Sequence, residues 1–196
     1  MRKLTYYIAI SIDGFIAGPD GDIGFYLLEG DHSAAMTERY PETVPTGWRE
    51  AAGITGANRE FDTVLMGRGT YEFGLRDGRP SPYAHLRQYV FSSTLNETDL
   101  PADAGIELVT GDPVAKVREL KRSAGGGIWL CGGGGLAGAL REEIDELVVK
   151  IHPVVAGAGI PMFGGGFRPE RYTVTDSRVF DSGVAVLTYT RPLPTS

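Results

Sequence analysis

The stretch Ile128-Trp129-Leu130-Cys131-Gly132-Gly133-Gly134-Gly135-Leu136-Ala137-Gly138-Ala139-Leu140 runs from an apolar segment through four consecutive glycines into a helix-like segment. Read as strand, bare backbone and helix start, it leaves N–H groups without intrahelical partners beside the positive end of a helix dipole. Such a place suits a phosphate or pyrophosphate. Glycine fits there because a Cβ would hold the ligand's oxygens off the backbone. The same glycines also read as a tight turn with close helix–sheet packing, and both readings stay open. Gly133, Gly135 and Gly138 fit G-x-G-x-x-G, but that dinucleotide fingerprint opens the first βα unit and needs an acid roughly 20 residues on. Here that distance lands near Pro153, in a stretch without acids. No G-K-[ST] follows, so a P-loop is disfavoured too.

Working outward, β-branched and aromatic runs predict strands over residues 4–10, 63–66, 88–91, 106–109, 128–131, 146–151, 172–180 and 184–190. Helices are expected over residues 46–58, from Thr70 onward, and over 113–122, where Asp112 stands at the cap and Pro113 at the first helical position. The region 31–60 otherwise reads as polar and partly helical, and 152–166 as an irregular backbone loop. Alternating strands and helices predict an α/β fold around a mainly parallel sheet. The last two strands, joined by Asp181-Ser182-Gly183, predict an antiparallel hairpin at its edge. No repeat, low-complexity tract or linker divides residues 1–196, which read as one domain.

The 196 residues are 42% hydrophobic and 22% charged, enough for a well-buried core and against disorder. A net charge of −6 disfavours broad nucleic-acid or anionic-membrane binding. The single cysteine, Cys131, excludes an internal disulfide and fits a reducing compartment. The N-terminus lacks a signal-peptide apolar region, and no run reaches the roughly 18 apolar residues of a membrane span. A cytoplasmic protein is the expectation. His32, His85 and His152 are far apart in sequence and show no metal-ligand spacing, so no metal is expected.

Three further segments carry chemistry. Leu65-Met66-Gly67-Arg68-Gly69-Thr70-Tyr71-Glu72 is a second strand–glycine–helix passage, with a guanidinium and a hydroxyl as donors. Val90-Phe91-Ser92-Ser93-Thr94 gathers hydroxyls where a strand ends, and in open α/β sheets ligands collect at such ends. Ser11-Ile12-Asp13-Gly14-Phe15-Ile16-Ala17 leads from the first strand into a loop with apolar residues suited to a flat ring. Tyr71 reads as core, and Arg118, Lys121 and Arg122 as a solvated helix face. Ser92 and Ser93 also read as a turn or cap, and Asp13-Gly14 as a turn.

With Cys131-Gly132-Gly133-Gly134, and with Ile144-Asp145-Glu146-Leu147 leading into His152-Pro153-Val154-Val155-x-Gly157-x-Gly159-Ile160-Pro161, these segments in this order resemble the dihydrofolate reductase superfamily. The branch resembled is the C-terminal reductase domain of the bifunctional riboflavin biosynthesis protein. The likeness covers nearly the whole chain and is weakest over residues 25–60.

The resemblance implies a three-layer fold with helices on both sheet faces, and NADPH as cofactor. Gly67, Arg68 and Thr70 would hold its phosphates, with Arg68, Ser92 and Ser93 near the 2′-phosphate. Cys131, Gly132, Gly133, Gly134 and Leu136 would line the pyrophosphate, and Ala9 and Ile16 the nicotinamide, under a loop over residues 11–24. The loop 152–166 would lie by substrate and by the partner of a homodimer, or be plainly structural. In dihydrofolate reductases proper, a carboxylate on the helix before the Gly67-Arg68 motif binds the pterin. No acid here aligns with it, Glu50 standing nearest and Asp13 being the other candidate. The zinc signature of a deaminase domain is absent. The resemblance therefore implies a stand-alone reductase moving hydride from NADPH to a C=N or C=O bond of a small heterocyclic or sugar-linked substrate. Its nearest analogue is 5-amino-6-(5-phosphoribosylamino)uracil reductase. Dihydrofolate reductase-type activity, a non-catalytic NADPH-binding module and a dimeric scaffold are the alternatives.

Overall fold

A strand with apolar residues on both faces needs cover on both, and this chain supplies it. The computed structural model describes residues 1–76 and 78–192; residues 77 and 193–196, the last four positions of the 1–196 domain reading, lie outside the described residues. The elements in chain order are β1 (Leu4–Ile10), β2 (Phe15–Ala17), α1 (Asp31–Arg39), β3 (Phe61–Gly67), α2 (Arg68–Arg76), β4 (Arg87–Phe91) and β5 (Ile106–Val109). They continue with α3 (Pro113–Arg122), β6 (Gly127–Gly132), α4 (Gly134–Ala139), β7 (Glu146–Ile151), β8 (Ile160–Pro161), β9 (Thr173–Val179) and β10 (Ala185–Thr190).

Eight strands form one sheet in the order β5-β4-β3-β6-β1-β7-β10-β9, with β1 central. The six from β5 to β7 are mutually parallel, and β10 and β9 close the sheet antiparallel, as the terminal hairpin predicts. Alternation with period two feeds two cores. Leu4, Tyr6, Leu65, Ile128, Leu130, Leu147 and Val149 meet Val117 and Leu120 of α3 and Ala137 of α4 on one face. Tyr7, Val64, Met66, Trp129 and Val148 meet Met36 of α1 and Tyr71 of α2 on the other. Helices thus cover both faces, giving three layers.

The Asp112 carboxylate accepts from Val114 N at 2.9 Å and caps α3, with Pro113 at its first position as expected. Three expectations need correction. Residues 46–58 do not form a helix: a single 3-10 turn, Thr46–Trp48, gives way to bends and turns, and the long helix of this region is α1 instead. Lys121 is not solvated. It is buried, donating to Glu143 O at 2.9 Å and pairing with Asp145 at 2.7 Å. The loop 152–166 is not wholly irregular either, since β8 pairs antiparallel with β2 as a separate two-stranded sheet.

That small sheet places the chain after β7 over α4, and the packing there explains two of the glycines. A Cβ at Gly134 would fall on the carbonyl oxygen of Pro161, and one at Gly138 on that of Gly164. Both positions are far inside the 3.0 Å that real Cβ atoms respect. Gly164 N donates to Gly134 O at 2.7 Å, fixing the contact. For Gly134 and Gly138 the packing reading of the glycine run is the one the structure shows.

Candidate functional site

Because β1, β3, β4, β5, β6 and β7 run parallel, their C-terminal ends share one edge of the sheet. There the chain leaves a cavity of about 1280 Å³. Ala9 on β1, Ile16 on β2, Gly67, Arg68 and Thr70 at the β3–α2 passage, and Ser92 and Ser93 after β4 all line it. So do Cys131, Gly132, Gly133, Gly134 and Leu136 at the β6–α4 passage. All twelve residues expected at a cofactor site therefore stand on one wall system, although the chain separates them by up to 127 positions (Leu136 minus Ala9).

Local chemistry holds each in place. Arg68 Nε donates to Glu72 Oε1 at 2.5 Å, one helical turn on, and Nη1 donates to Thr94 Oγ1 at 2.7 Å, so the guanidinium lies across the gap between α2 and the β4 end. Ser92 Oγ accepts from Thr94 N and Leu95 N at 3.1 and 3.0 Å. The hydroxyl thus builds the turn while still lining the cavity. The Gly132–Gly133 peptide is cis. Gly69, Gly111 and Gly135 also line the cavity, and nothing stands within 4 Å of where a Cβ would sit at any of them. Cys131 is half-buried in the wall, and burial pushes its thiol up to about 12, so it stands there as a neutral thiol.

The two acid candidates are elsewhere. Neither Asp13 nor Glu50 lines the cavity, and Glu50 is exposed in a turn. Asp13 accepts from Ala156 N at 3.0 Å and Gly157 N at 2.7 Å, tying the β1–β2 turn to the chain after β7. The Ser11 hydroxyl and then these amides hold its carboxyl down to about 2. With the folded value below an unfolded value of about 3.9, this tether stabilises above pH ~4 and is lost as pH falls toward ~2. A carbon-detected NMR titration of Asp13 should find its midpoint near 2. A midpoint near the unfolded value would mean that the two amide contacts are not held in solution.

Sequence reading overlooked the far wall. Tyr7, Tyr26, His32, Trp48, Tyr83, Lys150 and His152 complete the cavity. Tyr26 donates to Phe15 O at 2.7 Å and packs its ring, tilted by 48°, against His152 at 4.6 Å between ring centroids. His32 Nε2 donates to Leu27 O at 3.0 Å, and its Nδ1 lies 2.9 Å from Ser182 Oγ. Leu27 N donates to His152 Nδ1 at 3.3 Å. Arg79 lies over the Trp48 ring at 3.7 Å. Two signals were available in sequence: the inward parity of Lys150 at the end of a strand otherwise read as core, and the resemblance that set the loop from His152 onward by substrate.

One buried acid was also missed. Glu42 is fully buried, and its carboxylate accepts from the backbone N–H of Arg59, Glu60 and Phe61 at 3.2, 2.8 and 2.8 Å. It does not reach the cavity, where Asp22 is the one carboxylate among the described lining residues.

Known proteins share this architecture. The uncharacterized protein YwjB of Bacillus subtilis (strain 168) is 33% identical over 165 residues, covering 83% of each chain. A Shewanella sp. PV-4 protein named for riboflavin biosynthesis superposes with a TM-score of 0.70 at 25% identity, covering 98% of this chain and 100% of that one. The Thermotoga maritima diaminohydroxyphosphoribosylaminopyrimidine deaminase/5-amino-6-(5-phosphoribosylamino)uracil reductase superposes at 0.66 with 15% identity. It shares the fold over 97% of this chain and 57% of its own. The family described as RibD C-terminal domain matches residues 2–186. With that span, and with the dihydrofolate reductase-like α/β architecture already seen in the sheet, the chain belongs to the RibD C-terminal domain family.

Proposed function

We propose that the protein is an NADPH-dependent reductase acting on a small heterocyclic or sugar-linked substrate, resembling the reductase of riboflavin biosynthesis. The observation that carries this is the convergence, on one cavity at the C-terminal edge of a parallel sheet, of the twelve residues that the resemblance names.

The residues present fit a dinucleotide. Backbone without side chains at Gly69, Gly111 and Gly135 leaves open space that a Cβ would fill, as a close-lying phosphate chain requires. Arg68, Thr70, Ser92 and Ser93 supply a guanidinium and hydroxyls at one end, the donor set that favours a 2′-phosphate over a bare ribose. Gly132, Gly133 and Gly134, with Leu136, would flank the pyrophosphate. Ala9 and Ile16 would offer an apolar surface to the nicotinamide. Bound there, the cofactor supplies hydride; the chain contributes binding, orientation and exclusion of water. Dihydrofolate reductase-type activity is less well supported, because the buried Glu42 is fully used by backbone amides and Asp22 is exposed.

NADPH titrated into the protein should quench its tryptophan emission with micromolar affinity, and absence of binding at that concentration sinks the assignment. Consumption of NADPH over a panel of pterins, folates and the phosphoribosylamino-pyrimidine then separates a reductase from a binding module.

A further inference from the structure

Among the described residues, four cations, Arg68, Arg76, Arg79 and Lys150, line the cavity against one exposed carboxylate, that of Asp22, in a chain whose net charge is −6. Arg68 is held by Glu72 and Thr94, and Arg79 lies over Trp48. Lys150 differs. It is half-buried, paired in register with Ala9 on one side and Val186 on the other, and its ammonium lies 4.3 Å from the centroid of the Tyr7 ring. Neither a hydrogen bond nor an ion pair joins it to any described residue. A ring face attracts an ammonium but accepts little from its three N–H donors. A half-buried cation with unspent donors on a cavity wall lacks its acceptor.

His152 follows two residues later and lines the same cavity. Its Nδ1 accepts from Leu27 N, which leaves the proton of the neutral ring on Nε2. Burial first, then the charge of Lys150 and the neighbouring His32, hold its pKa down to about 4, so at neutral pH it is an N–H donor rather than a cation. His152 is buried, with 4% of its surface exposed, and no described residue accepts from that Nε2.

We infer that Lys150 and His152 together form a two-donor site for an oxygen of the substrate, so that the acceptor is a carbonyl-bearing or oxyanionic ring rather than an amino-edged pterin. This rests on the reductase reading above. An amino-edged ring asks for a carboxylate, and the described cavity wall offers only Asp22, whose Oδ1 already accepts from Gly24 N. An oxo edge finds two donors on the wall of the same cavity. When such a C=O is reduced, the carbon takes hydride from a reduced nicotinamide, which is thereby oxidised. The π pair moves onto oxygen, Lys150 Nζ gives that oxygen a proton, and the amine regains one from water. This assigns the proton source that Asp13 and Glu50 do not provide.

The test compares lumazine, a dioxo pteridine, with pterin, the same ring bearing an amino group in place of one oxo group, by fluorescence titration with and without NADPH. Lumazine should bind about tenfold or more tighter than pterin. Lys150→Met should weaken lumazine by at least about tenfold with NADPH affinity unchanged, and Lys150→Arg should keep lumazine within roughly threefold. Lumazine held no better than pterin, not bound at all, or unaffected by Lys150→Met overturns the inference. If lumazine binds in this pattern while NADPH does not, the oxygen site stands and only the cofactor reading fails. The wild-type comparison keeps the inference testable should Lys150→Met not fold.

Discussion

Gly138→Ala should lower the melting temperature by roughly 6–12 °C, the shift corresponding to about 3 kcal/mol in a chain of this size. The methyl has nowhere to go: it meets the backbone carbonyl of Gly164, not the movable end of a side chain. Relief requires residues 160–166 to lift from α4, breaking the 2.7 Å bond from Gly164 N to Gly134 O and disturbing the β2–β8 pair. Gly135→Ala provides the control. It lies three positions earlier in the same helix with open space at its Cβ, and alanine is the better helix former. It should leave the melting temperature unchanged or slightly raised while weakening NADPH. Scanning calorimetry on the two variants separates packing glycines from cradle glycines, and equal melting temperatures would refute the division.

Arg68→Ala should weaken NADPH by roughly tenfold to a hundredfold and leave NADH nearly untouched. The guanidinium is half-exposed, with 50% of its side-chain surface accessible, and its ion pair with Glu72 at that exposure contributes little to folding. The loss should therefore appear in cofactor affinity and not in stability. Two of its five N–H donors are committed to Glu72 and Thr94, which fix its plane and leave the remaining edge for a phosphate. Arg68→Lys keeps the charge but loses that fixed fork, so an intermediate affinity is expected. Parallel titrations with both dinucleotides give the answer, and an equal loss for the two would remove Arg68 from the 2′-phosphate.

The sequence was most informative where local pattern and tertiary demand coincide. Residues 4–10, 106–109, 113–122 and 146–151 form their expected elements to the residue, since each strand is a short run dominated by β-branched, aliphatic or aromatic residues and the helix is properly capped. Residues 46–58 failed for a local reason that was visible: Gly47, Gly53 and Gly56 interrupt them, and Gly53 adopts a φ of +67° that no helix uses. Lys121 and the β2–β8 pair failed for a different reason. Their partners lie 22 or more positions away, and no window of local periodicity contains them. The wall expected to take a cofactor was legible as one side of the cavity because its residues sit in short motifs at strand ends. Lys150 was not, because an inward-facing polar residue at the end of a buried strand looks like its apolar neighbours until the opposite wall is in place.

The two tryptophans divide the molecule in a way useful at the bench. Trp129 is buried within 4.8 Å of the Tyr83 ring, which lines the cavity, while Trp48 sits on the rim with 53% of its surface exposed. The first should emit at short wavelength and the second at long wavelength, each near a different part of whatever fills the space between them. The chain thus carries a two-colour optical gauge: Trp48→Phe would silence the red component and leave the blue one to report events at the cavity floor, without any label.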